Sequence, residues 1–244
     1  ASSLPAPRPG QTIAAPFPPP PTTARPATTA GAELRVLRFA PEGDVPLAPN
    51  LSITFSEPMV PITSHAALAA LPVPVRLSPE PPGKFRWIGT QTVLFDPAGE
   101  RFPMATRYRV EVPAGARAVS GSALASAQAF TFTTPRLEIL ATHPNRYDGE
   151  PQDLHPLVFA KLNQRIDRAA LLAQFRATVG SGAARASLRL ATDDEIEADD
   201  AIRRLTQSAE PDRTIVMAFQ EPLPKASHVR VELGAGATSA EGPL

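Results

Sequence analysis

The densest run of groups able to do chemistry is Asp193-Asp-Glu-Ile-Glu-Ala-Asp-Asp200, six carboxylates in eight residues. Oxygen ligands so closely spaced could hold a calcium ion, but the run has no glycine where an EF-hand loop needs its sharp turn. A helix accounts for every residue in it. Thr192 and Glu195 have the spacing of a capping box, in which each side chain satisfies an orphan amide at a helix start. Asp193, Asp194 and Glu195 then sit at the positive end of the helix dipole. Asp199 with Arg203, and Asp200 with Arg204, stand four apart as surface ion pairs do. Ile196, Ile202 and Leu205 supply an apolar edge. The expectation is one helix over about 193–207 and no metal site.

The remaining candidates are sparser. His65, His143, His155 and His228 lie far apart and follow no metal-ligand spacing such as His-Glu-x-x-His. No Gly-x-Ser-x-Gly elbow, phosphate-cradling glycine loop or dinucleotide fingerprint is present. The chain has no cysteine, which removes disulfides, thiolate metal sites and cysteine nucleophiles together. Trp87, inside a strand pattern, reads as a packing residue ahead of a ligand-stacking one. Tyr108 opens a strand just after Phe102-Pro-Met-Ala-Thr106, the place of a tyrosine corner whose hydroxyl bonds to nearby backbone. The expected site list is therefore empty: no catalytic residue, no cofactor, no metal, and no enzyme.

Charge narrows the partners. Lys+Arg and Asp+Glu number 24 each among 244 residues, so there is no basic field to attract nucleic acid or an anionic membrane. No apolar run approaches the roughly 20 residues of a membrane span, and no basic-then-apolar signal segment is visible.

The elements that would position any site begin after a leader. Residues 1–32 hold nine of the 30 prolines, including Pro18 to Pro21, which lock φ and remove backbone donors. This stretch is expected to be a disordered, extended spacer that can be removed at little cost. From Glu33 the texture changes to short alternating runs. These are 34–39, 51–55, 73–77, 85–88, 92–95, 107–112 and 129–133, with one short helical stretch at 65–71. Seven strands in about 100 residues is the pattern of an immunoglobulin-like β-sandwich.

A second copy follows. Tyr108-Arg-Val-Glu-Val-Pro-Ala-Gly-Ala116 reads against Val229-Arg-Val-Glu-Leu-Gly-Ala-Gly-Ala237, and Gly121 falls on Gly242. Leu34–Leu37 reads against Leu137–Leu140, and Phe55–Met59, more loosely, against Leu162–Ile166. The matches keep the same order in both halves. The fold expected is all-β: a sandwich over 33–135 and a second over 136–244, the latter with a helical insertion and lacking a counterpart of its last strand, 129–133.

Three strings together resemble the N-terminal region of large bacterial alpha-2-macroglobulins: Ala48-Pro-Asn-Leu-Ser-Ile-Thr-Phe-Ser-Glu-Pro-Met59, Pro82-Gly-Lys-Phe-Arg-Trp-Ile-Gly-Thr-Gln-Thr-Val-Leu-Phe-Asp-Pro97 and Phe102-Pro-Met-Ala-Thr-Arg-Tyr-Arg-Val-Glu-Val112. Phe-Ser-Glu-Pro-Met and Ala-Thr-Arg-Tyr also resemble the bacterial Ig-like module of surface-layer proteins. The macroglobulin resemblance implies scaffold modules of an exported protease trap, in the periplasm, at the cell surface or outside. Their partners would be other domains of the same chain and, through the whole protein, target proteases. No bait segment or thioester is assigned to these residues. An Ig-like spacer or adhesion module of a surface protein, and an accessory module of a secreted hydrolase, are the alternatives.

Overall fold

The computed structural model describes residues 33–145, 153–180 and 184–244. The expected leader, 1–32, lies outside the described residues. Nine elements form the first sandwich: β1 (Val36–Ala40), β2 (Gly43–Asp44), β3 (Leu51–Phe55), α1 (His65–Ala69), β4 (Arg76–Ser78), β5 (Gly83–Ile88), β6 (Thr92–Pro97), β7 (Arg107–Val112) and β8 (Gln128–Thr133). One sheet runs in the order β1-β3-β6-β5 and the other β2-β8-β7-β4. All pairs are antiparallel except β2 with β8.

The period-two patterning explains why the sheets face each other. Along β3, Leu51, Ile53 and Phe55 are buried while Ser52 and Thr54 are not, and along β7 Tyr108, Val110 and Val112 are buried. These inward rows meet Val93 and Phe95 of β6 and Phe130 and Phe132 of β8 in one core. Phe102 stands at its aromatic centre, 5.0 Å from the Tyr108 ring, 5.1 Å from Phe132 and 5.4 Å from Phe95, within the range where ring pairs attract. Trp87 is buried in the same core beside Phe55. Gly83 is where β5 comes closest to β6: a Cβ there would collide with the Asp96 carbonyl and the Phe95 ring.

The second sandwich contains β9 (Ile139–His143), β10 (Leu157–Leu162), α2 (Arg168–Leu172), β11 (Phe175–Val179), β12 (Ala184–Ala186), β13 (Leu188–Leu190), α3 (Asp193–Ala198), α4 (Asp200–Gln207), β14 (Thr214–Phe219) and β15 (Val229–Leu233). Its larger sheet runs β9-β10-β14-β13, the order of β1-β3-β6-β5 repeated strand for strand. The five-residue helices α1 and α2 also occupy the same step of the chain, α1 between β3 and β4 and α2 between β10 and β11, where β4 pairs with β7 and β11 with β15. In the smaller sheet, β12-β11-β15, β15 ends the sheet. Among the described residues no strand lies where β8 lies against β7.

The acidic run departs from expectation. The chain forms two helices, not one over 193–207, because Asp199 takes an extended conformation between them and caps the second, accepting from the amides of Ala201 and Ile202. Neither expected four-residue ion pair forms. Asp199 is committed to the cap, and Arg203 instead pairs with Asp200 and donates to the Glu197 carbonyl. The Thr192–Glu195 capping box is present in both directions, and Glu195 also takes a bidentate pair of bonds from Arg189 of β13. Ile202 is fully buried, with Ile196 and Leu205 packed beside Phe159 and Val216. The helices thereby cover the outer face of β10 and β14. That is why Thr214-Ile-Val-Met-Ala-Phe219 is buried at every position instead of alternating.

Candidate functional site: the junction between the sandwiches

The side chain of His65 lies outside those described, and the other side chains singled out by type do not converge. His155 and His228 are exposed and His143 half-buried on β9. Among the described residues no three His, Asp or Glu side chains are placed to hold a metal ion. Trp87 and Tyr108 are core residues. The Tyr108 hydroxyl donates to the Pro103 carbonyl at 3.1 Å, the geometry of a tyrosine corner, and burial pushes its ionisation up to about 12. The Trp87 Nε1 is buried with no acceptor, a cost of about 1–3 kcal/mol carried by the packing of the indole.

The most organised polar constellation was not among these candidates. Glu241, in the loop after β15, has a side chain only 2% exposed. Arg101, in the loop before β7 of the first sandwich, donates to both of its oxygens at 2.7 and 3.1 Å. The Met104 amide donates to Oε2 at 3.0 Å and the Arg165 amide to Oε1 at 2.9 Å. The carboxylate is thus held by loops of both sandwiches. Burial alone would push Glu241 up, but the Arg101 guanidinium and the amides of Arg165 and Met104 hold it down, to about 2.

Neighbouring groups extend the network. The Ser239 hydroxyl donates to Gln164 at 2.7 Å and accepts from the amides of Glu241 and Gly242. Gln164 is fully buried. Thr134, also buried, accepts from the Thr106 amide at 3.1 Å and fixes the turn carrying Met104 and Ala105. The Leu244 amide donates to the Ala105 carbonyl at 2.8 Å, and the Ala105 amide to that of Pro135. Ala105 holds φ at 51° with no exposed surface, a left-handed backbone that a non-glycine residue adopts only when its surroundings impose it. Gly242 lies so close to Met104, Ala105 and Thr106 that a Cβ would overlap them.

The loop holding Glu241 belongs to the repeat. The Val119 amide donates to the Pro58 carbonyl in the first sandwich, and the Ala240 amide to the Arg165 carbonyl in the second. Glu241 stands where Ser120 stands in the first copy. The same loop shape therefore carries an exposed hydroxyl in one copy and a buried carboxylate in the other. The arrangement has fixed charges, a paired cation and backbone donors, and no nucleophile or base aimed at open space. What it can do is hold two sandwiches at one angle. Sequence reading missed it because a lone Glu in Thr-Ser-Ala-Glu-Gly has no periodicity, and its partner lies 140 residues away.

Residues 32–134 match the sequence profile of the bacterial Ig-like domain, Big_5. No curated protein matches the chain. Among solved structures, it is similar to alpha-2-macroglobulin from Escherichia coli spanning domains MG0-NIE-MG1, at 14% identity and a TM-score of 0.31, covering 84% of this chain and 61% of that one. It is also similar to L,D-transpeptidase 3 from Mycobacterium tuberculosis, at 25% identity and 0.26, covering 41% and 37%. A third likeness is to an L,D-transpeptidase from Mycobacterium smegmatis, at 15% and 0.27, covering 62% and 55%. In each case the chain spans less than two thirds of the matched chain's length, and at these TM-scores none carries an argument about activity.

Proposed function

We propose that this chain is a non-catalytic scaffold segment of an exported bacterial protein, divided into a spacer over 1–32 and modules over 33–135 and 136–244. The observation that supports it is the Glu241 junction. Four donors from two sandwiches converge on one buried carboxylate, an investment in fixed geometry rather than in chemistry. The match of 32–134 to a bacterial Ig-like domain is in keeping with a structural module within a larger chain.

Within that reading, the strings 48–59, 82–97 and 102–112 favour the frame of an alpha-2-macroglobulin-like protease trap. Partners are then the other domains of the same chain and, through the whole protein, proteases. The test compares this 244-residue chain with the full-length protein for protection of a large protein substrate and of a small peptide against a protease. The chain alone should slow neither cleavage, whereas the full-length protein should protect only the large substrate. Slowing by the chain alone would overturn the scaffold reading. No protection by the full-length protein would overturn the trap and leave an Ig-like spacer or an accessory module.

A further inference from the structure

The two copies differ in how the short helix is tied down. In the second sandwich α2 is anchored: Leu171 is buried, and Asp167 caps the helix by accepting from the amides of Ala169 and Ala170 at 2.9 and 3.0 Å. Arg168 also donates to the carbonyls of Thr214 and Pro211 at 3.0 and 2.7 Å. Its counterpart α1 is held loosely. Ser64 caps it through one long bond, 3.4 Å from the Ala67 amide. Among the described side chains of 61–72, Leu68 and Leu71 are half-buried and the rest exposed. Each hydrogen bond described for this segment closes within it, and Pro61 and Pro72, which carry no amide hydrogen, bracket it. The helix lies against β5, whose one buried residue is Trp87. That indole is 6% exposed, and its Nε1 finds no acceptor. The loosest cover on the sandwich thus rests on the strand whose buried donor is unsatisfied.

We propose that 61–72 is a lid that opens from β5 while the sandwich stays folded, and that beneath it lies a binding site for a compact, mainly apolar ligand with one neutral carbonyl, to which Trp87 Nε1 donates. Local opening belongs to segments with few buried contacts, and a pocket closed in the free protein becomes the dominant form when a ligand binds its open state. Phe55, whose ring lies 6.3 Å from the indole, and Leu68 and Leu71 of the lid belong to the same apolar cluster as Trp87 and supply the walls. A carbonyl in their midst satisfies a donor that water does not reach. The acceptor is neutral because Lys84 and Arg86 alternate to the outer face of β5, where Arg86 pairs with Asp96. A carboxylate beside the indole would meet no cation of that strand. The site depends on neither the protease-trap nor the scaffold reading.

Trp87 is the only tryptophan of the 244-residue chain, so an isotope-labelled sample gives a single indole N–H resonance. Amides at 67–71 and the indole hydrogen should exchange at least about tenfold faster than amides at 169–174 and in β6. Leu68→Ala, at a half-buried position, should quicken the first two further and leave β6 unchanged, which reports that the sandwich remains folded. Acetophenone, an apolar ring with one carbonyl, should shift the indole resonance saturably. It should bind about tenfold or more tightly than ethylbenzene, which has the same ring and no acceptor. Indole exchange as slow as that of β6 would overturn the lid. Equal affinity of the two probes, or no shift with acetophenone even in Leu68→Ala, would overturn the site.

Discussion

Glu241→Gln tests the junction at its centre. The carboxyl ionises at about 2 when folded, against 4.5 as a free side chain, a difference worth roughly 3 kcal/mol at neutral pH. Solvent screening does not erode it, because the carboxylate is 2% exposed and the Arg101 side chain 15%. A folded value below the unfolded one means the stabilisation is fully present above about pH 5 and is lost as pH falls toward 2. Glutamine keeps the size but turns one acceptor into a donor facing Arg101 and the amide of either Arg165 or Met104, leaving the guanidinium without its counter-charge. Denaturant unfolding of the whole chain at pH 7 should show a loss of about 3 kcal/mol, the scale of breaking a buried pair from one side. Between pH 5 and 2 the wild type should fall toward the variant and the two curves converge. Amide exchange should quicken first at 101–106 and 239–244. A loss under about 0.5 kcal/mol at pH 7, the usual size of a surface change, would refute the reasoning, as would parallel curves down to pH 2.

Tyr108→Phe should cost about 1 kcal/mol, the net worth of its bond to Pro103, measured as a shift in denaturant midpoint with unchanged slope. Trp87→Ala should cost roughly 3–5 kcal/mol, because the indole is buried against Phe55; a neutral outcome in thermal unfolding would remove it from the core account. Thr192→Ala removes one half of the capping box and should cost about 1 kcal/mol, with faster amide exchange confined to α3 and the first turn of α4.

The first sandwich was legible because its signals are local. Leu51-Ser-Ile-Thr-Phe55 and Tyr108-Arg-Val-Glu-Val112 alternate at the period of a half-buried strand, and both bury the expected rows. The order of the repeated strings is likewise the order of equivalent strands. The capping box could be read because its two groups are three residues apart. The break at Asp199 could not, since a helix interior and an N-cap are both open to an aspartate and the choice depends on what Ile202 packs against. The same limit hid the central strands of the second sandwich. Thr214–Phe219 has no alternation to read, because helices from elsewhere in the chain cover the face that would otherwise be polar.

Composition and spacing by themselves thus determined an all-β chain of two like modules and the capped start of its helical insertion, because each rests on neighbours along the backbone. Tertiary structure alone decided how the modules meet. Ser120 and Glu241 occupy equivalent places in equivalent loops, yet only Glu241 meets Arg101 and the amides of Met104 and Arg165. Gly121 and Gly242 align as one motif, but Gly121 serves a left-handed turn with open space around it, whereas Gly242 permits contact with the 104–106 backbone. A buried charge is stable only where donors from distant segments converge on it, and that convergence is a property of the packed chain rather than of any stretch of its sequence.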